Sequence, residues 1–364
     1  MSAQKLTLSQ VKSQTNGTAF SAFALVTKVS ERLSKTGAPF WDLKLSDRTD
    51  TLTCRVWSSV GLRRCTPEKT LEKQLPAEQA AEQIRSLKGC IVWINGKIGE
   101  FNGAPQYTAR ALVVLSPEMP GCQPENFVPA SPIPRGRMER EFWELVDSCT
   151  DEEIRKFLHF VFDKKKPLWN SFRTLCASAR NHHAYAFGLL EHTLYTAKSA
   201  VAIANSYNRA EYKPDVNVVT AGALLNDIGM TECYTLIPEP DTTLDCTIFD
   251  HVAVGYAIFE KLADEFKLTP ALRAHLGHII LSSHGQREFG SAVAPATPEA
   301  MIVFTADSLD SSIIMWRDDV KELVGGMDPD RSISDMNYPL KRRFWKWKET
   351  QKPVTEEKEG EEAA

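Results

Sequence analysis

The sequence predicts a two-domain protein, an all-β barrel followed by an all-α helical bundle. Three observations carry this. Apolar residues alternate with period two through residues 17–116, and recur at three- and four-residue spacing through residues 137–348. A proline-rich stretch with neither pattern, 117–136, separates them and reads as a linker. A chain of 364 residues with 43% apolar and 25% charged residues can bury two cores.

The first domain is built from SAFALVTKV, PFWDLKLSD and TLTCRVWSS, each alternating and separated by polar turns. PAEQAAEQIRSL follows as a helix with Pro76 in its first turn. GCIVWINGKI and QYTARALVVL close the set around an FNGAP turn. Five strands with a helix between the third and fourth is the layout of an OB-fold. Alternation assigns Trp41, Leu43, Leu45, Leu52, Cys54 and Val56 to the core. Phe40, Lys44, Arg55 and Trp57 then share the opposite face, where OB-folds stack bases on aromatics and pair phosphates with cations. The same rings would also serve to cover a barrel end or pack on the second domain. Trp93 alternates with Ile91 and reads as core.

Residues 1–16 are left as an N-terminal segment, and the acidic stretch 349–364 reads as a disordered tail. KRRFWKWK, 341–348, interleaves basic and aromatic residues. That pattern suits an amphipathic last helix or a nucleic-acid contact.

In the second domain a helical stripe runs from Phe142 to Phe162 with a break at Ser148–Thr150. Further helices are predicted over 189–207, 218–228, 252–266, 271–281 and 298–315, with little strand signal. Three of the eight histidines, His182, His183 and His192, fall within Asn181–Thr193, and His192 is placed just before a helix. Asp227 ends an apolar run after Asn226, and Asp307 follows MIVFTA. Carboxylates in such surroundings are costly unless a cation meets them. Histidines and aspartates converging from several helices are how a bundle builds a metal site, and a mixed imidazole–carboxylate set suits manganese, iron, zinc or nickel better than calcium. Each residue also has a plainer reading. A lone histidine can be a hydrogen-bonded core residue, Asp227 a helix terminator and Asp307 a cap. His159 and His275 are read as structural.

Taken together, HHAY-x-x-GLLEHT, AGALL-x-DIG, HIILS-x-HG followed by FGS, and TPEAM-x-x-x-x-AD-x-LD resemble the HD superfamily of metal-dependent phosphohydrolases. The whole chain, from about Thr18 to Lys346, resembles the YhaM-type 3′-5′ exoribonucleases, which join an OB-fold to an HD domain. The resemblance implies His192, Asn226, Asp227, His251 and Asp307 as metal ligands, with Asp227, His278 and His284 in catalysis. It implies His182 and His183 as substrate contacts or as support behind the metal ligands, and Arg287 is a candidate phosphate clamp. Manganese is the implied cofactor, with magnesium, iron, cobalt or zinc as alternatives, and none if the site is degenerate.

Three positions depart from the family pattern. The naming His-Asp pair reads Asn226-Asp227, the later SHHG reads Ser282-Ser283-His284-Gly285, and the first glycine of GGLLEH is Phe187.

The expected function is a metal-dependent 3′-5′ exonuclease on single-stranded RNA or single-stranded DNA. The alternative is a non-catalytic single-strand binder with a degenerate HD domain as scaffold. A third reading, a nucleotide phosphohydrolase, fits poorly with the fused barrel. A net charge of −4 excludes a uniformly basic nucleic-acid binder but leaves room for local basic faces. The eight scattered cysteines, with no CxxC pair, exclude a zinc ribbon and read as reduced core residues. With no apolar leader and no long apolar run, a cytoplasmic protein with no membrane contact is expected, with a homo-oligomer left open.

Overall fold

Alternation in the first half becomes pairing. The computed structural model describes residues 5–116, 118–122, 126–207, 211, 213–325, 332–338 and 340–345. It begins with β1 (Lys5–Leu6), α1 (Leu8–Lys12), β2 (Ala19–Leu33), β3 (Pro39–Ser46), β4 (Thr51–Trp57) and β5 (Gly61–Cys65). Then come α2 (Ala77–Arg85), β6 (Ile91–Phe101) and β7 (Ala104–Leu115). β2 pairs antiparallel with β3 and with β6, β3 with β4, and β6 with β7. β4 meets β7 in parallel at Cys54–Tyr107 and Arg55–Thr108, so the pairing path returns to β2. Trp41, Leu43, Leu45, Cys54 and Val56 are fully buried and Leu52 nearly so, as the alternation predicts. The predicted helix begins at Ala77, with Pro76 at its N-cap rather than inside it.

The N-terminal segment is part of this domain, contrary to the expected boundary. Thr7 caps α1 through a reciprocal hydrogen-bonded box with Gln10, and Leu8 and Val11 are fully buried in the sheet core.

The helical half contains α3 (Arg135–Ser148), α4 (Glu152–Val161), α5 (Pro167–Phe172), α6 (Gly188–Ser206), α7 (Val216–Leu225) and α8 (Met230–Cys233). It continues with β8 (Tyr234–Thr235), β9 (Asp241–Thr242), α9 (Leu244–Phe266), α10 (Pro270–Leu281), α11 (Pro298–Gly325), β10 (Ile333–Asn337) and β11 (Arg342–Trp345). α4 shows why these segments are helices. Asp151 accepts from the Ile154 amide at its start, two glutamates occupy its first turn, and Ile154, Phe157, Leu158 and Val161 bury one stripe. α7 is buried from Val218 to Leu225 and forms the central helix. Its Asp215 cap accepts from the Asn217 and Val218 amides.

Two expectations are corrected. The two short hairpins, β8–β9 and β10–β11, were not anticipated. The described part of the basic-aromatic segment is a strand, β11, not a helix. Residues 346–348 and the acidic tail lie outside the described residues.

The two halves share an apolar seam. Leu25, Ile91 and Leu115 of the sheet join Phe127, Val128 and the helical core, and Trp93 packs against that same core. Lys44 of β3 reaches Glu239, between β8 and β9, at 3.6 Å.

Candidate metal centre

Three backbone segments converge in the helical half. His192 lies in the second turn of α6, not before it as the sequence suggested. Asn226 caps α7 and Asp227 follows it, while Asp307 lies in α11. His192 is 1% exposed, Asn226 1%, Asp227 2% and Asp307 6%, so the centre is sealed in the core. His192 Nε2 lies 2.8 Å from Asp307 Oδ1 and 3.0 Å from Asp227 Oδ2. Asn226 Nδ2 donates to Asp307 Oδ1 at 3.4 Å.

Close packing at two glycines holds these segments in place. A Cβ on Gly229 would sit 2.0 Å from the His251 carbonyl oxygen. Only glycine therefore lets the turn after Asp227 lie on α9 and bring His251 Nε2 to 3.9 Å from Asp227 Oδ1. A Cβ on Gly188 would sit 2.1 Å from the His183 carbonyl oxygen. Gly188 thus seats the histidine-bearing loop against α6, with the His182 and His183 rings 5.2 Å and 5.5 Å from His192.

Behind His192 lies a second buried layer, in which the sequence reading offered His183 but missed Asp310. Asp310 Oδ2 is 2.6 Å from His192 Nδ1 and 2.8 Å from His183 Nε2. His183 Nδ1 meets the Tyr185 hydroxyl at 2.9 Å, and that hydroxyl donates to Glu191 at 3.0 Å. The available signal was spacing, because Asp310 stands three residues after Asp307 on the same helix face.

At the open side, His251 Nδ1 pairs with Asp250 at 2.8 Å, and its Nε2 lies 2.8 Å from His284 Nε2. His278 is not brought to this group. Its Nε2 accepts the Ala296 amide at 2.9 Å, and no contact among the described residues joins it to His192. His159 pairs with Asp147, and His275 with Thr297 and Glu299, as structural residues would. Arg287 is exposed on a 3-10 turn after α10.

Charge follows geometry. Burial opposes ionisation of Asp227, but the hydrogen bond and charge of His192 outweigh it and bring its carboxyl down to about 2. Burial likewise opposes charge on His192, yet its bonds to Asp227, Asp307 and Asp310 hold its pKa well above the ordinary value. His182 is pushed down to about 3, by burial first and then by its two histidine neighbours, so it stays neutral.

The residues fit a divalent cation. His192, Asp227 and Asp307 offer ligand atoms within 4.8 Å of one another. Asn226 Oδ1 is a buried acceptor with no hydrogen-bond partner among the described residues, whereas Asp227 Oδ2 faces the His192 ring at 3.0 Å. A cation there would satisfy the orphaned Asn226 oxygen.

On the β3–β4 face, Phe40 is only 8% exposed. It lies 5.1 Å from the Trp57 ring and 4.4 Å beneath the Arg55 guanidinium. Arg55 is also tied to Asp42 at 3.2 Å. Trp57 and Arg55, both half-buried, and Lys44, exposed, are the members of the predicted face that reach solvent.

The HD domain family model matches residues 189–312, the segment that carries His192, Asn226, Asp227, His251, His284 and Asp307. The chain is 22% identical to the 3′-5′ exoribonuclease YhaM of Bacillus subtilis, covering 80% of this chain and 85% of that protein. It is 24% identical to the YhaM of Bacillus velezensis, with the same coverage. A solved OB domain from Methanosarcina mazei is 18% identical and covers 32% of this chain and 87% of its own, with a TM-score of 0.21. That likeness is too slight to bear on the fold of the first domain, which stands on its strand pairing. Among the described residues no helix is long and apolar enough to cross a membrane.

Proposed function

We propose that the chain is a metal-dependent 3′-5′ exonuclease acting on single-stranded RNA, with single-stranded DNA as the alternative substrate. The observation that carries this reading is the facing of His192 Nε2, Asp227 Oδ2 and Asp307 Oδ1 beside the orphaned Asn226 Oδ1. Similarity to the two YhaM exoribonucleases over four fifths of the chain supplies the substrate class and polarity.

His192, Asn226, Asp227 and Asp307 would hold the cation. When bound, it polarises the scissile phosphate and lowers the pKa of a coordinated water. With three oxygen donors and one nitrogen, the set favours manganese or magnesium over zinc or nickel. Asp310 fixes the His192 ring and directs Nε2 at the carboxylates. The His251–His284 pair, whose facing Nε2 atoms must share a proton to approach 2.8 Å, holds a proton at the solvent edge for the departing 3′ oxygen. The returning strand path of the first domain is used as an OB-fold, with Trp57, Lys44 and Arg55 guiding the strand.

A second reading has its own support. Asp307 and Asp310 each lie within hydrogen-bond reach of His192, so the pocket is held together without an ion. A polar core of that kind would suit a scaffold for a single-strand-binding barrel. A time course on 5′-labelled single-stranded RNA with Mn²⁺, beside Asp227→Ala, separates the two. A ladder shortening from the 3′ end and absent in the variant supports the nuclease. An uncut strand that still shifts on a native gel supports the scaffold.

A further inference from the structure

The sealed centre has one edge open to solvent. The His251 side chain is 12% exposed, against 1% for His192 and 2% for Asp227, and His284 beside it is half-buried. The rim of that edge is apolar and faces outward. α9 breaks at Asp250, whose backbone takes the left-handed φ of 65°. The turns just before the break expose Leu244, Ile248 and Phe249, the last at 59%. On the other side stands the 3-10 turn Arg287–Phe289. A Cβ built on Gly290 would lie 3.9 Å from both Asp250 Oδ2 and His284 Cδ2, so this turn rests on the same edge. Its Phe289 is 62% exposed. The Arg287 side chain is exposed and has no ion-pair or hydrogen-bond partner among the described residues.

Large apolar side chains left in water beside a buried polar centre mark a binding surface. Phe249 directly precedes Asp250, and Phe289 directly precedes Gly290, so each ring is one residue from the contacts that line the His251–His284 edge. We infer that Phe249 and Phe289 form a stacking mouth for the terminal nucleobase of a single strand, with Arg287 pairing with an adjacent phosphate. The inference rests on the nuclease reading and names the part of the substrate held at the cut. An unpaired guanidinium beside exposed aromatic rings is the chemistry that holds single-stranded nucleic acid, and it tolerates any sequence because every base has a π face. Stacking also works without a deep pocket, which suits an edge formed by one helix break and one turn.

The test compares two single-stranded RNAs in Mn²⁺, one complete and one lacking only its 3′-terminal base. Full-length wild type is set beside Phe249→Ala/Phe289→Ala and the conservative Phe249→Tyr/Phe289→Tyr, with thermal melts and sedimentation run on all three. Wild type is expected to prefer the complete strand in kcat/KM by at least about fivefold, the low end of one base stack. The alanine pair is expected to lose that preference at unchanged melting temperature, and the tyrosine pair to keep it. Wild type that shortens both strands equally overturns the stacking mouth and leaves the nuclease reading standing. An alanine pair that keeps the preference overturns the mouth in the same way. Wild type that shortens neither strand removes the nuclease reading and the inference with it. A dimer that dissociates only in the alanine pair, with the preference intact, reassigns the rim to contact between copies of the chain.

Discussion

Asp310 Oδ2 lies 2.6 Å from Nδ1 of His192, and the same oxygen lies 2.8 Å from Nε2 of His183. One carboxylate therefore fixes two imidazoles, one of which offers its other nitrogen to the metal centre. Burial opposes ionisation of Asp310, but its bonds to His183 and His192 hold its carboxyl well below the usual range.

Removing that anchor separates positioning from folding. Asp310→Asn keeps shape and one acceptor, so it is expected to fold but to bind Mn²⁺ about ten- to a hundredfold more weakly, as losses behind a ligating histidine do. Asp310→Ala leaves two buried imidazoles without their partner and is expected to cost about 3 kcal/mol of stability. Calorimetric Mn²⁺ titration and urea unfolding of both variants check this. An Asn variant with wild-type affinity would remove the positioning role.

Much of this architecture was legible in the chain. Trp41, Leu43 and Leu45 alternate cleanly, and the α4 stripe shows its period, because burial on one face imposes it. Asp310 was not legible as a site residue, because an aspartate three residues after Asp307 also reads as ordinary helix polarity. His278, which spacing groups with the site, instead accepts the Ala296 amide. It lies inside α10 and His284 beyond its end at Leu281, and spacing alone does not reveal that break. Phe40 alternates as an outward residue, but Arg55 and Trp57 cover it.

In the proposed site, metal choice turns on Asn226. Its amide oxygen is a harder, neutral donor than imidazole, so Asn226→His should shift preference from Mn²⁺ towards Zn²⁺ or Ni²⁺. Competition titrations with the purified protein read the change directly. An unaltered ratio would mean that Asn226 Oδ1 does not ligate.

The raised pKa of His192 carries a sign that can be tested. Its folded value stands above the unfolded value of about 6.5. In the metal-free chain its carboxylate pairing thus contributes stability that is fully present below about pH 6.5 and lost as pH rises through the folded value. Loading a cation on Nε2 requires loss of that proton. Apparent Mn²⁺ affinity is therefore expected to rise by up to about tenfold per pH unit below the folded value, with a proton released on binding. Calorimetry in two buffers of different ionisation enthalpy measures that proton. Binding without proton release would place a neutral imidazole at His192.

Phe187 offers a case where two magnitudes compete. Its backbone holds a left-handed φ of 67° at the start of α6, a conformation that costs a non-glycine residue about 1–2 kcal/mol. Its ring is 7% exposed and lies 5.4 Å from the Arg135 guanidinium. Deleting a buried ring of this size costs about 3–5 kcal/mol. Burial wins, so Phe187→Gly is expected to be less stable than wild type by about 2 kcal/mol even though it relieves the strain. Phe187→Ala loses the ring and keeps the strain, so it should be the least stable of the three. Urea unfolding checks the order, and an alanine variant at least as stable as the glycine one would show that the backbone at 187 is not strained.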